Sequence, residues 1–306
     1  MRWRKLGLVY VPDGSQPWAR THAMLPTPVQ LSENTVRLYV AHADDAVVSR
    51  IGYIDLDLSD PTRVIAIARE PVLGIGAPGT FDDNGVNPCS VLEVDAEYWL
   101  FYSGYQLQRK VPYTLFTGLA LSRNSTGPFI RFSRTPILDR RDEETFIRCA
   151  PLVLSEGERW RMWYVGGGAW IDIGGKLKPI YSLRHTESTD GFHWDEGSIE
   201  CLTPAAERGE IGFGRPFVLN DLGTYRMWYS IRKSTGYTLG YATSPDGLVW
   251  TRRDEEVGIA CSTSGWDSEM ICYPAIVRAK DRWLMFYNGN GYGRTGVGCA
   301  ELIEPW

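Results

Sequence analysis

The residues with most chemical potential in this 306-residue chain are carboxylates that recur a few positions before a proline. They stand in Asp82-Asp83-Asn84-Gly-Val-Asn-Pro88, Glu144-Thr-Phe-Ile-Arg148-Cys-Ala-Pro151, Glu210-Ile-Gly-Phe-Gly-Arg215-Pro216 and Asp267-Ser-Glu269-Met-Ile-Cys-Tyr273-Pro274. A fifth segment, His22-Ala-Met-Leu-Pro-Thr-Pro28, carries a histidine instead. Carboxyl groups brought together repel one another, and partial burial pushes their pKa values apart, as general acid/base catalysis requires. Asp83, Glu144, Glu210 and Glu269 are the catalytic candidates. Taken singly, each reads equally well as a solvated group or an arginine partner; it is the recurrence that favours chemistry. Arg148 and Arg215 could clamp a carboxylate or phosphate by paired hydrogen bonds, or simply neutralise the acids beside them.

A second set follows five aromatic-rich strands: His42, Asp44 and Asp45; Ser103, Gly104 and Tyr105; Gly166 to Gly168 with Trp170; Arg232; and Asn288, Gly289 and Asn290. Joined to His22 and Tyr273, these amides, guanidinium groups and flat rings suit a carbohydrate. Sugar hydroxyls take paired polar partners, and a sugar's C–H face stacks on a ring. If the arginines are free, the substrate is anionic: a uronic or nonulosonic sugar, or phosphate.

The elements that must position these residues repeat. A proline opens an apolar strand at Pro28, Pro88, Pro151, Pro216 and Pro274, spaced 60, 63, 65 and 58 residues apart. An aromatic strand follows each, as in Tyr98-Trp-Leu-Phe-Tyr102, Arg161-Met-Trp-Tyr164 and Arg226-Met-Trp-Tyr229. A third strand comes next, clearest in Gly118-Leu-Ala-Leu-Ser122 and Gly240-Tyr-Ala-Thr-Ser244, and leads to Asp190-Gly191 and Asp246-Gly247 turns. Asp-Gly between strands marks a tight hairpin, because glycine accepts the positive φ. The expectation is an all-β fold: one five-bladed β-propeller over residues 1–306, with four-stranded antiparallel blades. The N-terminal run Leu6 to Val11 closes the ring by supplying the last blade's missing strand. Antiparallel direction then puts the pre-proline segments and the loops after the aromatic strands on one face around the axis. Asp190, Asp246, Trp194 and Trp250 fall on the opposite face as turn-builders. The longest loops, Gly104 to Thr117 and Val165 to Ile180, would raise one wall of the mouth.

Composition excludes several classes. A formal charge of −5 argues against a nucleic-acid partner, and no apolar run is long enough to span a membrane. The apolar stretch after the basic start is too short for a secretory signal, so a cytoplasmic place is expected. Six scattered cysteines without a CxxC pair suggest neither disulfides nor zinc. Gly291-Tyr-Gly-Arg-Thr-Gly296 fits GxGxxG but opens no βαβ unit. No metal or cofactor is expected, and the assembly is a monomer or small homo-oligomer.

The five repeats, the acidic pre-proline segments and the GxAxS and DGxxW ends resemble the five-bladed glycoside hydrolases. That group holds arabinanases, β-xylosidases, invertases and levansucrases, with the related mannoside phosphorylases. The chain is similar above all to a bacterial group with a general glycosidase label, through Trp18-x-x-x-His22-Ala23, Gly265-Trp-Asp-Ser-Glu269 and Tyr287-Asn-Gly-Asn290. The resemblance implies an aspartate base or nucleophile from blade one, an aspartate from blade two and a glutamate acid from a later blade. Asp83 matches the second, and Glu144 or Glu210 the third. The first is missing, since His22 occupies the aligned segment and Thr27 precedes the proline; Asp45 or Glu269 would replace it. The implied function is hydrolysis of a small or terminal glycoside by paired carboxylates. Phosphorolysis or glycosyl transfer is the second option, and sugar binding without chemistry the third.

Overall fold

The computed structural model describes residues 1–194 and 197–306. Its regular structure is nearly all strand. After β1 (Arg2–Tyr10) comes a first group, β2 (His22–Ser32), β3 (Thr35–Ala43), β4 (Ser49–Asp57) and β5 (Asp60–Ile67). The second is β6 (Val86–Val94), β7 (Glu97–Leu107), β8 (Tyr113–Ser122) and β9 (Ile130–Arg131). The third is β10 (Ile147–Glu156), β11 (Arg159–Ile173), β12 (Lys176–Ser188) and β13 (Ile199–Leu202). The fourth is β14 (Glu210–Asp221), β15 (Thr224–Lys233), β16 (Gly236–Ser244) and β17 (Thr251–Arg252). Last come β18 (Cys272–Ala279), β19 (Arg282–Asn288) and β20 (Val297–Glu304).

Hydrogen bonding makes a four-stranded sheet of the first group and a twelve-stranded sheet of the next three. Within the latter, antiparallel groups meet through short parallel contacts, β8 with β10 and β12 with β14. The remaining sheet runs β18-β19-β20-β1, so the N-terminal strand completes the last group, pairing antiparallel with β20. Among the described residues no helix is long and apolar enough to cross a membrane.

Each innermost strand breaks register around its proline: between Met24 and Thr27, Pro88 and Ser90, Cys149 and Leu152, Gly214 and Phe217, and Cys272 and Ala275. Proline gives the ladder no N–H, so the strand bulges and bends there. Leu25, Ala150 and Tyr273, each directly before a proline, sit at φ 53°, 52° and 57°. That region is uncommon for residues with a Cβ and needs support from outside the strand. A side chain on a neighbouring group supplies it each time: Asn288 Oδ1 accepts from Leu25 N, Ser103 Oγ from Ala150 N and Ser230 Oγ from Tyr273 N, all at 2.8 Å.

The second strands form the packed layer. Trp163, Trp228, Tyr102, Tyr164, Tyr229 and Tyr287 are fully buried. The glycines opening the third-strand motif exist for these rings. A Cβ on Gly118 would lie 2.4 Å from Tyr102 Cζ, and one on Gly240 2.6 Å from Tyr229 Cε2. The Asp-Gly turns are built as expected: Asp190 Oδ1 accepts from Phe192 N and His193 N, while Trp194 Nε1 donates to Gly191 O. Asp246 and Trp250 repeat this arrangement.

The two long loops are corrected. Most of Val165 to Ile180 continues β11 and β12 to a two-glycine tip, Gly174 and Gly175, with φ 63° and 78°. Two consecutive positive φ values match the right-handed twist of a hairpin, so the strands extend where composition suggested a loop. The stretch from Gly104 to Thr117 likewise lies mostly in β7 and β8.

Candidate functional site

The bulged ends of all five innermost strands meet at one cavity of about 440 Å³. His22, Met24 and Leu25 line it from the first group and Asn87 from the second; Ile147, Cys149 and Ala150 come from the third, Gly214 and Arg215 from the fourth, and Tyr273 from the fifth. The strained Leu25, Ala150 and Tyr273 are therefore all at its wall. Tyr105, Tyr113, Tyr181, Tyr237 and Tyr292 supply most of the rest, with Ser103 and Arg232.

The four candidate carboxylates do not line it, and their expected convergence is corrected. Asp83 accepts from Gly79 N at 2.8 Å and faces a separate recess beside Gln106. Glu269 is exposed. Glu210 is 5% exposed and takes two bonds from Arg252, at 2.7 and 2.9 Å, and one from Ala205 N. Glu144 is fully buried, 3.2 Å from Arg148 Nε, and accepts from Tyr164 Oη at 3.1 Å.

These contacts belong to a recurring strut. A pre-proline carboxylate receives the hydroxyl of the second-strand tyrosine: Tyr102 to Asp82, Tyr164 to Glu144 and Tyr287 to Asp267. A cation completes it, and in two groups that cation comes from the outermost strand. Arg131 of β9 reaches Asp82 at 2.7 Å, and Lys5 of β1 reaches Asp267 at 2.6 Å. In the fourth group Arg252 of β17 joins Glu210 to Asp254, which takes the Tyr229 hydroxyl. Desolvation would make such buried acids costly unless paired, and pairing across three strands is how the fold meets that cost. Asp83 directly follows Asp82, and Glu269 stands two residues after Asp267; both are more exposed than the residues that do this.

Of the expected substrate-binding residues, His22, Ser103, Tyr105, Arg215, Arg232 and Tyr273 face the cavity. His42, Asp45, Arg148, Trp170, Asn288 and Asn290 do not line it. Asp45 pairs with Arg20 near the surface, and Arg148 serves Glu144. His42 is buried against Trp18 and Tyr10 beside a second recess. Trp170 packs edge-on to Tyr113 and Phe146. Asn288 holds Leu25 N, Ala23 O and Gly296 O, and Asn290 ties Glu269 N to Gly265 O. Tyr113, Tyr181 and Tyr237 were missed. They lie on the third strands, Tyr113 and Tyr237 at the openings of β8 and β16 and Tyr181 midway along the longer β12, a placement readable once the strands are known.

Two arginines and no carboxylate line the cavity among the described residues. Arg232 is 9% exposed; its Nη1 donates to Tyr181 Oη at 2.9 Å, and Tyr181 Oη lies 2.6 Å from Tyr237 Oη. Arg215 is 1% exposed and bonds Pro26 O, Thr27 Oγ1 and Cys89 O, while its Nε has no partner. Burial pushes its pKa down to about 10. Neither arginine has a carboxylate partner among the described residues. His22 sits at the wall with its imidazole held below its ordinary value by burial and by Arg294.

The struts predict acid sensitivity. Burial raises the Glu210 carboxyl, but Arg252, the Ala205 N–H and the charge of Arg208 outweigh it and hold the pKa below the ordinary value. Asp267 is lowered in the same way: against burial stand Lys5, Ser262 and Tyr287. A lowered folded-state pKa contributes stability that is present above the unfolded value and lost as pH falls through the folded one. Melting temperature should therefore fall from pH 5 toward pH 3, and less steeply in Glu210→Gln. Equal slopes in both proteins would refute the pairing as the cause.

No protein-family model matches the chain. The uncharacterized protein Rv1502 of Mycobacterium tuberculosis is 35% identical over 302 residues, covering 99% of each chain. A glycosyl hydrolase from Bacteroides ovatus superposes with a TM-score of 0.72 at 16% identity, covering 98% of this chain and 93% of that one. CoXyl43, a GH43 β-xylosidase/α-arabinofuranosidase from a compost microbial metagenome in complex with xylotriose, gives 0.65 at 16% identity, covering 99% and 96%. At those identities the likeness to solved structures is one of fold.

Proposed function

We propose, since the chain belongs to the family of the mycobacterial protein Rv1502 and has the propeller fold of the glycoside hydrolases, that it takes a small or terminal sugar unit bearing an anionic group into its central cavity. The five strand groups are read as five blades of one propeller over residues 1–306, closed by β1. Bonds from Asn288 in the last group to Leu25 and Ala23 in the first support the ring. One observation carries the functional reading: Arg215 and Arg232, nine-tenths buried or more and without carboxylate partners among the described residues, face a cavity walled by tyrosines. Rings suit a sugar's C–H faces, Asn87, Ser103 and His22 suit its hydroxyls, and a buried guanidinium calls for an anion. A cavity of about 440 Å³ is of ligand-binding size.

Cleavage of the sugar's glycosidic bond is the second reading, favoured by the hydrolase fold. Its proton transfers would run through His22 or the tyrosines, because Asp83, Glu144, Glu210 and Glu269 are placed outside the cavity. Phosphorolysis or transfer would be recognised from the product formed with and without phosphate.

Calorimetry with neutral hexoses, their uronates and their 1-phosphates tests the primary reading. The charged sugars should bind at least about tenfold more tightly, corresponding to about 1.4 kcal/mol, and Arg232→Met should abolish that preference. Equal affinity for neutral and charged sugars would overturn the reading.

A further inference from the structure

The central cavity opens beside a groove of about 560 Å³ that shares Tyr113 and Arg232 with it. Two hairpin tips form the groove: Gln108 to Pro112 between β7 and β8, and Gly175 to Lys178 at the end of the β11–β12 hairpin. Arg109, Lys110, Lys176 and Lys178 line it, so Arg232 brings the cations to five. None of the five has an acidic partner within ion-pair distance among the described residues. Asp172, on the same hairpin, receives Gly175 N. By contrast, Arg37, Arg131, Arg161 and Arg252 are each tied to a carboxylate. In a protein with a net charge of −5, a row of unpaired cations leading into a tyrosine-walled cavity is a local reversal of sign. Such a row focuses the field on whatever projects from the cavity.

We propose that the ligand is a sugar joined to a diphosphate, with the sugar in the cavity and the phosphates in the groove. This rests on the central cavity being a sugar site. The charge count argues for phosphate over a single carboxylate. One uronate needs one guanidinium, and Arg232 alone would answer it. The four further cations match a group that carries two or more charges on oxygens spread along the groove, where lysines act as point charges on phosphate. Arg232 stands at the junction. Nine-tenths buried and donating to the Tyr181 hydroxyl, it is placed to hold the phosphate nearest the sugar. A nucleotide and a polyprenyl lipid present the same diphosphate, so the groove chemistry alone does not separate them.

The test uses the full chain and the charge-reversal variant K176E/K178E, whose changes lie at a hairpin tip away from the core. Calorimetry would be run with inorganic pyrophosphate, with UDP-glucose, and with polyprenyl-diphosphate-linked glucose in phosphatidylcholine vesicles. Pyrophosphate should bind the natural protein, weaken as salt is raised, and lose at least tenfold in affinity in the variant. Neutral hexose binding should stay unchanged. A gain from UDP-glucose over pyrophosphate assigns a nucleotide carrier, and a gain confined to the vesicles assigns a lipid carrier; either supports the proposal. Pyrophosphate that fails to bind, or binds the variant equally, overturns it while neutral sugar binding leaves the cavity reading standing. Loss of all sugar binding in the natural protein would overturn both.

Discussion

Glu144→Gln is expected to destabilise the protein by about 3 kcal/mol without altering the affinity of the central cavity for a sugar. Its carboxylate is fully buried, lies 3.2 Å from Arg148 Nε and 3.6 Å from Arg184 Nε, and accepts the Tyr164 hydroxyl. Glutamine keeps the shape and removes the charge, leaving the 5%-exposed Arg148 as a cation without its counter-ion. Breaking a buried pair from one side costs more than the pair contributes, because the surviving charge stays desolvated. Urea denaturation measures the loss and calorimetry with a sugar checks the cavity. If stability were unchanged while sugar turnover or binding collapsed, Glu144 would return to the chemistry from which the strut removes it.

Arg215→Ala is expected to cost about 3 kcal/mol or more. The guanidinium reaches from the fourth strand group to Pro26 O and Thr27 Oγ1 of the first and Cys89 O of the second. One planar fork therefore links three groups around the cavity floor. Alanine leaves these buried acceptors without donors, each at a cost of about 1–3 kcal/mol. Arg215→Lys keeps the charge but not the fork, so it should recover only part of the loss. Thermal melts of the three proteins check this ordering. A lysine variant as stable as the natural protein would mean that charge alone matters at this position.

The regular parts of this fold were legible because their signals are local. Each aromatic strand is one contiguous run, proline marks the bulge within its own strand, and Asp190-Gly191 and Asp246-Gly247 build their turns from adjacent residues. The fate of Asp82, Glu210 and Asp267 was not legible, because their cationic partners are distant in sequence, whereas Arg148 stands four residues from Glu144. Arg131 lies 49 residues from Asp82, and Lys5 lies 262 from Asp267. A carboxylate before a proline looks the same whether a cation or a substrate awaits it. Tyr113, Tyr181 and Tyr237 were hidden differently: among 16 tyrosines, these are marked only by their place on the third strands. His22, Arg215, Arg232 and Tyr273 were found because charge, or direct precedence to proline, set them apart.

The pairing of β1 with β20 has a consequence for biosynthesis. Arg4 and Glu301 meet although they lie 297 positions apart in sequence, so β1 has to wait for β20 to be made before it finds this neighbour. Until then the edge of Arg2–Tyr10 presents open amide and carbonyl groups to other nascent chains. Long-range strand pairing is also slow to form. Heat-shock holdases, or a slower rate of initiation on each messenger, should consequently raise the yield of active protein more than a change in elongation speed.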